Sequence, residues 1–311
     1  MDLAIGAPPA RPERPERDLS AGLRAPPDPP ELPDPIGEPP RWPAWYAPVA
    51  LLSSFVLIAL TILPIIPWAL LTESSIETVD TADATFLLIG IVVQDGAWVT
   101  TALLFGLFKQ RPRGWQFGLR PARLWPAVGW SVLALALLYA FEFGYLELLA
   151  GDDDSNVDDL GADAGLLAAI AVSLAIIVVA PITEEFFFRG FFYRALRNRM
   201  RRWLAAPIDG VVFGALHFEG YSTAITLPVI ALFGFAMCLV YERTQTLFSV
   251  IAIHAAFNCV AVALSGGNVA VAVTIGLLVI AGCVIVPWRM RARPSPWRGV
   301  RAGRSRVARV A

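Results

Sequence analysis

Two histidines, His217 and His254, are the only imidazoles in 311 residues, and each lies in an apolar stretch long enough to cross a membrane. An imidazole in hydrocarbon has lost its water, so ionisable groups at that depth are rare and mark functional sites whose partners can be named. A third apolar stretch holds Glu184, Glu185 and Arg189, and Asn258 follows His254 by one helical turn. Residues four apart stand one above the other on a helix. Glu185 and Arg189 can therefore pair along one face, as a buried charge requires, while Phe213 stacks below His217 and His254 aligns with Asn258. Glu184 is left without a counter-charge of its own. A desolvated carboxylate, two imidazoles and an amide are groups able to activate water, move a proton and stabilise an oxyanion.

The elements that must hold these groups follow from composition. Hydrophobic residues make up 56%, charged residues 16%, and mean hydropathy is +0.60, whereas soluble domains carry about 25% charge. The chain reads as an all-α, polytopic membrane helical bundle. A helix needs about 20 apolar residues to cross roughly 30 Å of hydrocarbon. Eight such stretches can be marked, at 46–71, 84–108, 125–149, 166–192, 204–218, 223–241, 247–264 and 269–288, the fifth short and the fourth long.

Loop charge gives an independent test, because Lys and Arg collect in cytoplasmic loops. Lys109, Arg111, Arg113, Arg120 and Arg123 follow the second stretch, Arg194, Arg197, Arg199, Arg201 and Arg202 the fourth, and Arg243 the sixth. The intervening loops are acidic or neutral, as in the run of aspartates between Asp152 and Asp163. Both termini are thus expected in the cytoplasm of a cell whose plasma membrane the chain crosses many times. At 1.5 Å per residue, Glu184 lies about 15 Å from Arg194, His254 about 16 Å from Arg243, and His217 about 15 Å from Pro207. The three side chains meet at one depth.

Outside the bundle the material changes. Residues 1–42 are rich in proline, mix both charges and contain no apolar run, so they are expected to be disordered, and they lack the apolar core of a secretory signal peptide. Residues 43–288 form the membrane domain, and residues 289–311 are an arginine-rich cytoplasmic tail that reads as a solvated topology signal or a partner for anionic lipid. Cys238, Cys259 and Cys283 all fall in apolar stretches and read as small buried residues, since they form no Cys-x-x-Cys pair. Asp95 with Gln94, and Glu142 with Glu147, read as contacts between helices or groups at the outer rim. Arginine replaces lysine almost throughout, with Lys109 the exception, which points to a GC-rich bacterial genome.

The ordered set Glu184-Glu185-x-x-x-Arg189, Phe213-x-x-x-His217 and His254-x-x-x-Asn258 resembles the CPBP family, the CAAX-type proteases and bacteriocin-processing proteins also called the Abi family. All three motifs are complete, and the resemblance covers residues 125–264. It implies endopeptidase activity within the membrane, which in eukaryotes includes removing the last three residues of prenylated CAAX proteins. Amide hydrolysis then assigns Glu184 as general base, His217 as holder of the water and proton shuttle, and His254 with Asn258 as oxyanion donors. Glu185, paired to Arg189, orients the helix.

Two matters stay open at this level. His217, His254 and Glu184 also match a zinc ligand set with a fourth position for water, so the site is read either as cofactor-free or as a zinc site. The same groups would also suit a proton relay in a transporter, although no internal repeat of the kind transporters show is present, and a non-catalytic scaffold of the same fold is the third alternative. The expected partners are the bilayer and a membrane-embedded or lipidated peptide or protein, with no nucleic acid.

Overall fold

The computed structural model describes residues 42–63, 84–109, 112–149, 165–218, 224–264 and 268–292. Most of the proline-rich head, the aspartate-rich loop and most of the arginine tail lie outside the described residues. Within them the chain is helical and contains no strand. That is what a bilayer demands, since a helix satisfies its own backbone where water cannot.

Eight helices follow in order among the described residues: α1 Tyr46–Ile62, α2 Ala84–Leu107, α3 Leu124–Leu149, α4 Gly165–Arg197, α5 Arg202–Ala215, α6 Leu227–Thr244, α7 Leu247–Leu264 and α8 Val269–Ala292. They fall where the apolar stretches place them. Six are long and apolar enough to cross a membrane, and α1 is a shorter apolar helix of 17 described residues. The exception is α5. Its 14 residues rise about 21 Å, too little to cross the hydrocarbon alone.

Helix α4 departs most from regularity. It runs 33 residues, five beyond the expected end at Phe192, and contains two π-helical stretches, Ala175–Val179 and Phe186–Phe192, on either side of the two glutamates. Such widened turns are rare and often accompany functional sites. The second contains Phe187, Phe188 and Phe191, all fully buried. These phenylalanines pack on neighbouring helices: Phe187 stacks on Trp98 of α2 and Phe188 meets Phe213 of α5 edge to face, with ring centroids 5.9 and 5.0 Å apart.

Helices α5 and α6 meet along a seam of small residues. A Cβ added at Gly210 would lie 2.6 Å from the carbonyl oxygen of Ala231, and one at Gly234 would lie 2.9 Å from the Cα of Gly210. Only glycine lets the two backbones come so close, as small residues do between helices in membranes. Through this contact the short α5 is held against a helix long enough to span.

The arginine-rich end of the bundle is built, not merely solvated. Gly118 turns the α2–α3 connection with φ +93, and a Cβ there would collide with the Tyr241 hydroxyl. Its carbonyl accepts from the amide of Leu247 at the start of α7, at 2.9 Å. Arg120 donates to the carbonyl and side chain of Gln245, at 2.6 and 2.7 Å, and Thr246 returns a hydroxyl to the Arg120 carbonyl at 2.6 Å. Arg194 donates to the Gln116 carbonyl and Arg197 pairs with Glu242. Several arginines that mark topology in the sequence therefore also fasten the helix ends together.

Candidate active site

Buried charge organises the centre of the bundle. Arg189 is fully buried on α4, so its guanidinium must find partners inside the protein. It donates to Glu185 one turn earlier at 3.0 Å and to the Gly234 carbonyl of α6 at 2.8 Å, and lies 3.6 Å from Asp209 of α5. Its planar head also covers the ring of Phe213, 4.6 Å from the centroid. One side chain thus joins α4, α5 and α6. Asp209 in turn accepts the thiol of Cys238 at 3.1 Å.

The two imidazoles are anchored alike. His254 Nδ1 lies 2.9 Å from Glu185 Oε1, and a carboxylate already paired to arginine only accepts, so Nδ1 donates. His217 Nδ1 lies 2.8 Å from the Phe213 carbonyl, which also only accepts. Each ring is therefore fixed through Nδ1 and keeps Nε2 for chemistry. For His254 that Nε2 faces Glu184 Oε2 at 3.8 Å. This oxygen is buried and has no hydrogen-bond partner in the protein.

Phe213 stands between the rings, 4.7 Å from His217 and 5.9 Å from His254, and Phe233 of α6 closes the same space at 5.0 Å from His254. His217 lies two residues beyond the end of α5 rather than on it. The spacing of four still delivers it, because its amide bonds the Gly214 carbonyl at 3.0 Å and continues the turn.

Glu184, Glu185, Arg189, Phe213, His217 and His254 thus form one cluster. Asn258 sits one turn further along α7, donating through Nδ2 to the Ile176 carbonyl in the first widened stretch of α4 at 2.8 Å. One of its two N–H groups holds the helices together, and the second is left for another partner.

Two buried acids stand outside the site that the sequence motifs assign. Asp209, fully buried and paired to Arg189, lies four residues before Phe213 in an apolar stretch, the intramembrane signature that singled out the histidines. Asp95 of α2, read as a contact or rim group, is only 2% exposed and interacts electrostatically with Glu184 and Thr183. Neither of its oxygens makes a well-formed hydrogen bond. A carboxylate this deeply buried, within electrostatic reach of Glu184, is not a rim group.

Among the described residues no three His, Cys, Asp or Glu side chains are grouped as a ligand set.

Residues 166–260, which contain every one of these motifs, match the family model of type II CAAX prenyl endopeptidase Rce1-like proteins. The resemblance carried by the motifs holds over this stretch. Among curated proteins, the chain is 30% identical over 129 residues to an uncharacterized 24.3 kDa protein of Escherichia coli, covering 41% of this chain and 59% of that one. It is 29% identical over 138 residues to a Bacillus subtilis (strain 168) protein named "Putative membrane peptidase YdiL", covering 40% and 55% respectively. The match thus spans somewhat more than half the length of these relatives. No solved structure matches.

Proposed function

We propose that this protein is an intramembrane endopeptidase of the CAAX prenyl protease type, which hydrolyses a peptide bond with water activated by Glu184. The observation that carries the reading is the meeting of the unpartnered Glu184 Oε2 with His254 Nε2 at 3.8 Å, with both side chains buried. A water between these groups and His217 Nε2 gives its proton to Glu184 and attacks the substrate carbonyl. Glu184 or His217 then passes that proton to the leaving amine. His254, when protonated, donates from Nε2 to the oxyanion, and the second N–H of Asn258 supports it. Glu185 and Arg189 touch no reacting atom; they set the tilt of His254 and the register of α4.

The substrate is a membrane-embedded or lipidated peptide, met within the bilayer of a bacterial cell. The test is release of a short C-terminal peptide from a farnesylated CAAX peptide and from an unlipidated membrane-spanning peptide, using purified protein in liposomes. Wild-type protein should release peptide, and Glu184→Gln, which keeps shape but cannot take the proton, should be slower by about 100-fold or more. Thorough chelation should leave most activity. Cleavage by Glu184→Gln at the wild-type rate would remove the glutamate mechanism, and activity that vanishes on chelation and returns only with zinc would replace it by a metal-dependent one. Proton flux across the liposomes without any cleavage would favour the relay reading instead.

A further inference from the structure

Away from the buried cluster, a groove of about 270 Å³ opens on the outer face between α3 and α6 and is closed at the arginine-rich end by the start of α5. Its walls are almost entirely aliphatic and aromatic, with Leu133, Leu137, Phe235 and Leu239 along its length. From Leu232 to Arg243 it follows α6 for about 16 Å. Leu133 and Leu137 are 47% and 62% exposed, so this wall meets the surrounding medium, which for a helix in a bilayer is lipid.

The closed end is chemically different. Arg202 and Arg243 both line it, and each guanidinium lies over an indole, Arg202 on Trp203 at 4.9 Å and Arg243 on Trp130 at 5.0 Å. Tryptophan and arginine together are the pair that settles at the headgroup level. Neither arginine has an ion-pair partner among the described residues. The one acid in the lining, Glu242, is already engaged by Arg197 and by the Tyr193 hydroxyl at 3.0 Å. Helix α5 also begins here, and its N-cap residue Arg201 supplies no side-chain cap. Its first amides therefore add donors and the positive end of the helix dipole.

An apolar trough ending in a helix start and two cations without an ion-pair partner among the described residues is complementary to one kind of molecule. We propose that this groove binds an anionic glycerophospholipid, with an acyl chain along α6 and the phosphate between Arg202 and Arg243. Such basic pockets between membrane helices hold anionic headgroups. The site is separate from the buried acids and requires no catalytic activity.

Native mass spectrometry of the detergent-purified full chain tests this, with phosphatidylglycerol and phosphatidylcholine of identical acyl chains as probes. One phosphatidylglycerol should be retained with about 30-fold preference, each arginine contributing roughly fivefold. The double substitution Arg202→Gln and Arg243→Gln should erase most of that preference. Arg199→Gln with Arg289→Gln removes the same charge from exposed positions outside the groove and should leave it intact. Equal retention of both lipids, equal loss in the two double variants, or displacement of phosphatidylglycerol by glycerol 3-phosphate alone would overturn the proposal. Should the groove double variant not fold, Ala134→Phe, which fills the trough without touching charge, decides the matter: loss of the bound lipid supports the site and full retention refutes it.

Discussion

At the scale of single residues, the site is a balance of charge inside a low-dielectric bundle. Arg189 neutralises Glu185 and is shared with Asp209. Arg189→Ala would strand two acids, so we expect a loss of about 3 to 5 kcal/mol in unfolding free energy, seen as a lower melting temperature. A wild-type melt would show that the network is not buried as described. Asp95 gives the opposite expectation. Its carboxylate is buried within electrostatic reach of Glu184 and is poorly satisfied, so Asp95→Asn should raise stability by about 1 to 2 kcal/mol. The same change should lower peptide release several-fold if the charge is retained for catalysis, and an unchanged rate would return Asp95 to a packing role. The sequence made Glu184, Glu185, Arg189, His217, His254 and Asn258 legible because spacing of four on a helix survives folding. It could not tie Asp95 to Glu184, since an interaction across two helices 89 positions apart leaves no local trace.

At the scale of helices, the apolar stretches located α2, α3, α7 and α8 closely, because length and hydrophobicity alone fix a spanning helix. They could not show that α4 contains two π-helical stretches, which depend on how Phe187, Phe188 and Phe191 pack against α2 and α5. Nor could they show that α5 is short and leans on α6. That seam can be tested at Gly210, where an added Cβ would meet the Ala231 carbonyl at 2.6 Å. Backbone cannot yield as a flexible side chain does, so Gly210→Ala should cost about 2 kcal/mol or more. It should also disturb His217 and Arg189, since both depend on the spacing of α5 and α6. A variant that melts and cleaves like wild type would mean that the two helices have room to part.

At the scale of the whole molecule, the alternation of loop charge predicts which side each connection faces. In a background without the three native cysteines, cysteines introduced at Ser155 and Arg199 should react oppositely with a membrane-impermeant thiol reagent on intact cells. Equal labelling would break the topology. One feature at the arginine-rich end also reaches into the protein's biogenesis. The connection before α3 is tied to the start of α7 through Arg120, Gln245 and Thr246, contacts that span about 125 residues of chain. A ribosome delivers residues in order, at several per second, so Arg120 emerges well before its partners exist. The depth of His254 is set only when α7 arrives and is clamped by that older loop. The proposed protease is therefore inert throughout most of its own synthesis, and a chain that stalls before its seventh helix cannot cut its neighbours.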